Sequence, residues 1–140
     1  MKASRYLTHL KKLADPQVPL HRFFERARRL GPTLGPVLYQ LPPHWQVNLP
    51  RFEAFLAALP QDYRHVVEFR DASWLLEPTF HLLERYHVAH CLHDRRPLQV
   101  PLRLTASLVY LRLHGDPDHG GRYPDAMLEA WARRVDHWRS

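Results

Sequence analysis

The sequence has one cysteine, Cys91, in 140 residues. A single thiol excludes an internal disulfide framework and leaves no cysteine spacing for zinc. Cys91 lies in an apolar run, so it is expected to be a buried thiol. No apolar run approaches the roughly 18 residues of a membrane span, so no membrane partner is expected. No block of five or six like charges occurs, which argues against a charged nucleic-acid tail. The start of the chain lacks the pattern of a secretory signal, and the expected location is the cytoplasm. There is neither an HxH nor an HExxH spacing, so no metal site is expected. Nothing in the sequence names a cofactor.

What is present is a core and a positive charge. Hydrophobic residues make up 45% of the chain, with four Trp, six Tyr and six Phe, too many for a disordered segment. The length fits one ordinary domain. Net charge is +6 with histidine neutral, which favours anionic partners.

Thirteen prolines and five glycines punctuate the chain. Residues 17–30 carry Leu20, Phe23, Phe24, Ala27 and Leu30 on a helical stripe, and Gly31 supplies a stop. Val37 to Leu41 reads as a strand ended by Pro42-Pro43. Asn48 can cap a helix bearing Leu49, Phe52, Leu56 and Leu59. His65 to Arg70 is a second strand, and Ser73 can cap a helix running to Tyr86. Val88 to His93 and Ser107 to Leu113 are further strands, and Pro124 to Trp138 is a last helix, expected to bury Met127, Trp131, Val135 and Trp138. Helices alternating with strands at this spacing predict an α/β fold with a mostly parallel sheet.

Strand side chains alternate between faces. Tyr110, Arg112 and His114 share one face of LVYLRLHGD; Val66, Glu68 and Arg70 share one of HVVEFR; Gln40 lies with Leu38. His90, Leu92 and Asp94 likewise fall together. Each strand therefore has an apolar face and a face that turns polar toward its carboxyl end. The apolar faces suit covering helices. The polar ends suit either the mouth of a barrel or the crevice of an open doubly wound sheet. Arg112 is also a candidate ion-pair partner for Glu68.

Four strings, KASRYLTH (2–9), GPVLYQLPPHW (35–45), EFRDASW (68–74) and VYLRLHG (109–115), together resemble the YecE-like family, domain of unknown function 72. The resemblance covers nearly the whole chain. It implies a TIM-barrel-like fold and no particular reaction. Family members are longer at both ends, so it also implies a partial TIM barrel over residues 1–140, with the N- and C-terminal units missing and strand edges left unpaired for self-association.

The residues support three functional expectations. The first is an enzyme, or a remnant of one, acting on a small anionic substrate. Lys2, Arg5, Arg70 and Arg112 would hold a phosphate or carboxylate, with Gln40 and Tyr123 as further binding groups. Glu68 or Asp94 would serve as general base and His114 as acid or base. The His114–Tyr123 loop would act as a lid. Glu68, Asp94 and His114 also form a weaker candidate for a divalent ion. The second expectation is a nucleic-acid-binding module using Arg28, Arg29, Arg95 and Arg96. The third is an inactive barrel fragment. His9 is equally a residue of the mouth or of a helix start.

Overall fold

The computed structural model describes residues 1–140. Four strands, β1 (Val37–Gln40), β2 (His65–Glu68), β3 (Ala89–His93) and β4 (Tyr110–Arg112), form one sheet in the order β1-β2-β3-β4. All neighbouring pairs are parallel. Lys2 adds a parallel bridge to Leu38 on the outer side of β1. Sheet order therefore follows chain order, with no reversal of the kind that defines a doubly wound sheet. Four helices, α1 (Gln17–Ala27), α2 (Leu49–Ala57), α3 (Glu77–Arg85) and α4 (Asp125–Arg139), alternate with the strands as the sequence predicts.

The boundaries differ for local reasons. The stripe predicted to continue to Leu30 leaves the α-helix after Ala27 and runs on as a 3₁₀ segment broken at Gly31, where φ is 51°. Asn48 caps α2 as expected, its side chain accepting from the Arg51 N–H at 3.1 Å. Asn48→Ala is expected to lower stability by about 1 kcal/mol, read as a lower urea midpoint at unchanged slope. The predicted helix from Ser73 is instead two elements. Asp71 caps a short 3₁₀ turn (Ala72–Trp74), and α3 begins after Leu76 with Pro78 in its first turn. The Ser73 hydroxyl accepts a hydrogen bond from the Val47 N–H at 2.9 Å.

The core lies between the sheet and the first three helices. Tyr39, Phe52, Phe55, Phe69 and Trp74 are fully buried there. Phe69 and Trp74 stack with centroids 5.6 Å apart, and the Trp74 indole N–H donates to the Trp45 carbonyl at 2.7 Å. Each such aromatic buries a large apolar area, so these rings contribute strongly to the stability of this face. The opposite face holds a small cluster of Leu38, Val66, Ala89 and Cys91. Cys91 is buried, and burial beside Glu68 pushes its thiol pKa up. The expected burial along the last helix is not found: α4 has no buried residue, and Met127 is 36% exposed. Its apolar stripe is real, but β4 presents only three half-buried residues for it to cover. No helix is long and apolar enough to cross a membrane.

Candidate functional site

Register places the polar residues. Gln40 pairs with Glu68, Cys91 with Tyr110 and His93 with Arg112. These side chains share the sheet face away from the first three helices, at the carboxyl ends of the strands. Glu68 is the centre. It is fully buried, and both of its carboxylate oxygens are occupied. The Gln40 amide donates to Oε1 at 3.2 Å and the Arg70 guanidinium to the same oxygen at 3.5 Å. Arg112 donates to Oε2 at 2.5 Å, with the Cys91 thiol at 3.8 Å. Four elements thus meet on one carboxylate. A buried carboxylate needs such partners, because its desolvation would otherwise exceed its attractions.

The Arg70 side chain is mostly buried beside Glu68. Burial and the charge of Arg95 lower its pKa, Glu68 opposes the shift, and Arg112 adds to it. His114 lies on the same rim. Partial burial and the Arg112 charge lower its pKa, and Arg95 acts in the same direction. Its ring sits edge-on to His93, with centroids 6.2 Å apart. His93 is buried and tied to the Phe69 carbonyl at 3.0 Å.

Asp94 sits apart from this cluster. Strand alternation alone groups it with His90 and Leu92, and His90 faces the helices, 5.2 Å from the Phe80 ring. Because β3 ends at His93, Asp94 is free to turn toward the next loop. It accepts the His114 backbone N–H at 2.8 Å and the Tyr123 hydroxyl. Tyr123 in turn accepts the Gly115 N–H at 2.6 Å. The loop expected as a lid is therefore tied at several points. Asp116 accepts the Asp118 N–H at 3.0 Å, and Arg96 pairs with Asp118 at 2.8 Å. Gly115 (φ 92°) is required, since a Cβ there would lie 2.7 Å from the Gly121 carbonyl oxygen. Tyr123 faces Asp94 and Gly115, not Glu68.

Lys2 and Arg5 occupy the other side of the rim. The bridge to Leu38 puts Lys2 on the Leu38–Gln40 face, and both cations are exposed. Their charges and that of Arg70 act on His9, whose pKa is lowered first by burial and then by Arg5, Lys2 and Arg70. One positive rim therefore runs from Lys2 through Arg70 to Arg112. Among the arginines considered for nucleic acid, Arg28 and Arg29 precede β1, at the amino ends of the strands, whereas Arg95 and Arg96 follow β3, at the carboxyl ends. They form no common face. No group of three metal-ligating side chains is found, and Asp94 does not join Glu68 and His114. A groove of about 630 Å³ lies elsewhere, between the first residues and α1, and is lined by Tyr6, Val18 and Phe23.

Sequence reasoning missed Cys91 and His93 as members of the polar face. Alternation through AHCLHD contained the signal, since both are odd-numbered partners of Tyr110 and Arg112.

The structure is thus a parallel α/β sheet with a basic rim at the carboxyl ends of its strands. The chain belongs to the DUF72 family, proteins of unknown function, whose family model matches residues 1–140. The crystal structure of a DUF72 family protein from Thermotoga maritima is similar, with a TM-score of 0.83 and 23% identity, over 97% of this chain and 60% of that one. A DUF72 family protein from Enterococcus faecalis is similar with a TM-score of 0.62 and 20% identity, over 81% of this chain and 46% of that one. The chain thus spans 60% or less of the length of these solved relatives. At such identities the likeness establishes the fold alone. No curated protein matches.

Proposed function

We propose that the carboxyl-terminal rim of this sheet binds a small anion, phosphorylated or carboxylated, as part of a barrel-type enzyme. One observation carries the reading. Lys2, Arg5, Arg70, Arg95 and Arg112 line a rim whose central buried carboxylate, Glu68, is already fully engaged by protein donors. Arginine forks suit phosphate and carboxylate oxygens. A sheet in chain order, with polar groups at the carboxyl ends of its strands, matches where barrel enzymes place their sites.

In this reading Glu68 positions Arg70 and Arg112 rather than acting as base, because donors occupy both of its oxygens. Asp94 and Tyr123 hold the following loop. His114 is the acid–base candidate on that side: only its backbone is bonded to the protein, and neighbouring cations favour its neutral form.

Binding of inorganic phosphate by titration calorimetry tests this. The side chains of Lys2 and Arg5 are exposed and make no hydrogen bond or ion pair within the protein, and alanine leaves the Lys2 backbone bridge intact. Lys2→Ala and Arg5→Ala are each expected to weaken binding about threefold, and together about tenfold. Arg29→Ala, at the other end of the sheet, is expected to change nothing. Equal losses for all three variants would mean that surface charge alone attracts phosphate, and the site would be rejected.

A further inference from the structure

The stretch from Tyr6 to Leu10 forms a π-helical turn. Such turns are rare and occur mostly as single turns, frequently at functional sites. Three non-glycine residues with positive φ follow within four positions: Lys12 at 44°, Leu13 at 62° and Asp15 at 44°. Conformations of this kind persist only where the surroundings over-determine them. Leu13 is the anchor here, 1% exposed, with its N–H donating to the Leu7 carbonyl at 3.0 Å.

What this strained segment positions is His9. Thr8, itself 2% exposed, puts its hydroxyl oxygen 2.8 Å from His9 Nδ1 and 3.4 Å from the Ser4 carbonyl. In either tautomer the Thr8 hydroxyl holds Nδ1, and in the protonated ring Nδ1–H donates to Thr8 while Nε2–H is left for a ligand. No protein group bonds Nε2. A locked Nδ1 with a free Nε2 is the arrangement that presents one defined nitrogen for proton transfer.

The turn follows the extended residues that bridge to β1, so His9 lies past their carboxyl end, within reach of the Arg70 charge rather than at the opposite end of the sheet. Its charged neighbours are Lys2 and Arg5 from its own segment and Arg70 from the end of β2. His114 stands on the far side of the rim, next to Arg95 and Arg112.

We infer that His9 is the proton-transfer residue on the Lys2–Arg70 side of the anion site: its free Nε2 meets the bound oxyanion, neutral in the empty site and protonated in the filled one. The inference rests on the anion-binding reading above. In the empty site, burial and three cations oppose a further positive charge on the ring. An arriving anion offsets those cations and accepts a hydrogen bond from Nε2–H. One proton passes from solvent to the ring, so imidazolium and anion form a charge-assisted pair through Nε2–H. The ring is then loaded to deliver that proton to a leaving oxygen of a phosphoryl or carboxyl substrate.

Nuclear magnetic resonance of the histidine rings tests this, with sulfate as a divalent probe that does not itself titrate near neutrality. His9 is assigned by its absence in His9→Gln. Saturating sulfate is expected to raise the His9 titration midpoint by about one pH unit or more. Wild-type affinity is then expected to weaken as pH rises from about 6 to about 8, and His9→Gln to lose most of that dependence while His81→Gln, exposed on α3 away from the rim, keeps it. If Arg70 and Arg112 respond to sulfate and His9 does not, the binding site stands and the role of His9 is overturned. If none of the three responds, the binding site itself fails and the inference fails with it.

Discussion

Arg112→Ala is expected to lower the stability of this chain by about 3 kcal/mol, at the lower end of the range for breaking a buried ion pair. The cause is what the substitution leaves behind. Glu68 is fully buried, and Arg112 supplies its shortest hydrogen bond, at 2.5 Å. Without it, Oε2 keeps only the thiol of Cys91 at 3.8 Å. Gln40 and Arg70 still serve Oε1, so the carboxylate is weakened and not wholly abandoned. Glu68→Ala is expected to cost less, about 2 kcal/mol, because the Arg112 side chain is 33% exposed and its charge can turn to water. The double variant is expected to fall short of the sum of the two single losses by at least about 1 kcal/mol, since each single change already removes the shared bond. Urea denaturation measures all three; guanidinium is avoided because its salt screens the pair. Additive losses, or an Arg112→Ala variant as stable as the wild type, would mean that water already solvates Glu68.

Acid is expected to destabilise the fold well above the carboxylate range, through His90. This residue is 3% exposed, wedged between Phe69 and Phe80, and neither ring nitrogen has a hydrogen-bond partner of good geometry. Burial pushes its pKa down from 6.5 to about 4, with the Arg103 backbone opposing the shift and His93 adding to it. The folded value lies below the unfolded one, so the unfolded chain takes up the proton first. Stability is therefore full above about pH 6.5 and is lost as pH falls through about pH 4. A gap of this size corresponds to roughly 3 kcal/mol over that window. His65, also lowered by burial, acts in the same direction, with its bond to the Pro60 carbonyl opposing. Urea midpoints measured across the window read the loss. His90→Leu removes two unpaired polar atoms from the core, so it is expected to be at least as stable as wild type at neutral pH and to lose most of the acid dependence. If His90→Leu keeps the full acid slope, His90 is not its source.

Much of this architecture was legible because the period-two and helical patterns are strong. The alternation of helices and strands was read in the correct order, and GPVLYQL, HVVEFR and LVYLRLHGD each pointed polar residues at the shared face: Gln40, then Glu68 and Arg70, then Arg112 and His114. The Glu68–Arg112 pair followed from that alternation alone. Failures came where geometry depends on more than one segment. Asp94 was grouped with Glu68 because the polar face of β3 was read as His90, Leu92 and Asp94, whereas Cys91 and His93 share the face of Glu68 and His90 packs against Phe80. Asp71 and Ser73 both suit a cap, and only the approach of Val47 decides that Ser73 serves another loop. The stripe on α4 predicts burial, but burial also needs a covering surface, which three residues of β4 do not supply. The π-turn at Tyr6–Leu10 and the positive φ of Lys12, Leu13 and Asp15 carry no sequence signal, since none of these residues is glycine. That is why His9 could be read equally as a rim or a helix-start residue.

The central claim is that the basic rim is a built anion site and not a diffuse surface charge. Its most direct test is nuclear magnetic resonance of the arginine side-chain N–H groups during a phosphate titration at constant ionic strength. The account predicts saturable shifts that share one binding curve at Arg70 and Arg112, with Arg28 and Arg29 at the opposite end of the sheet unmoved. Small, non-saturating shifts of similar size at all four arginines would contradict it.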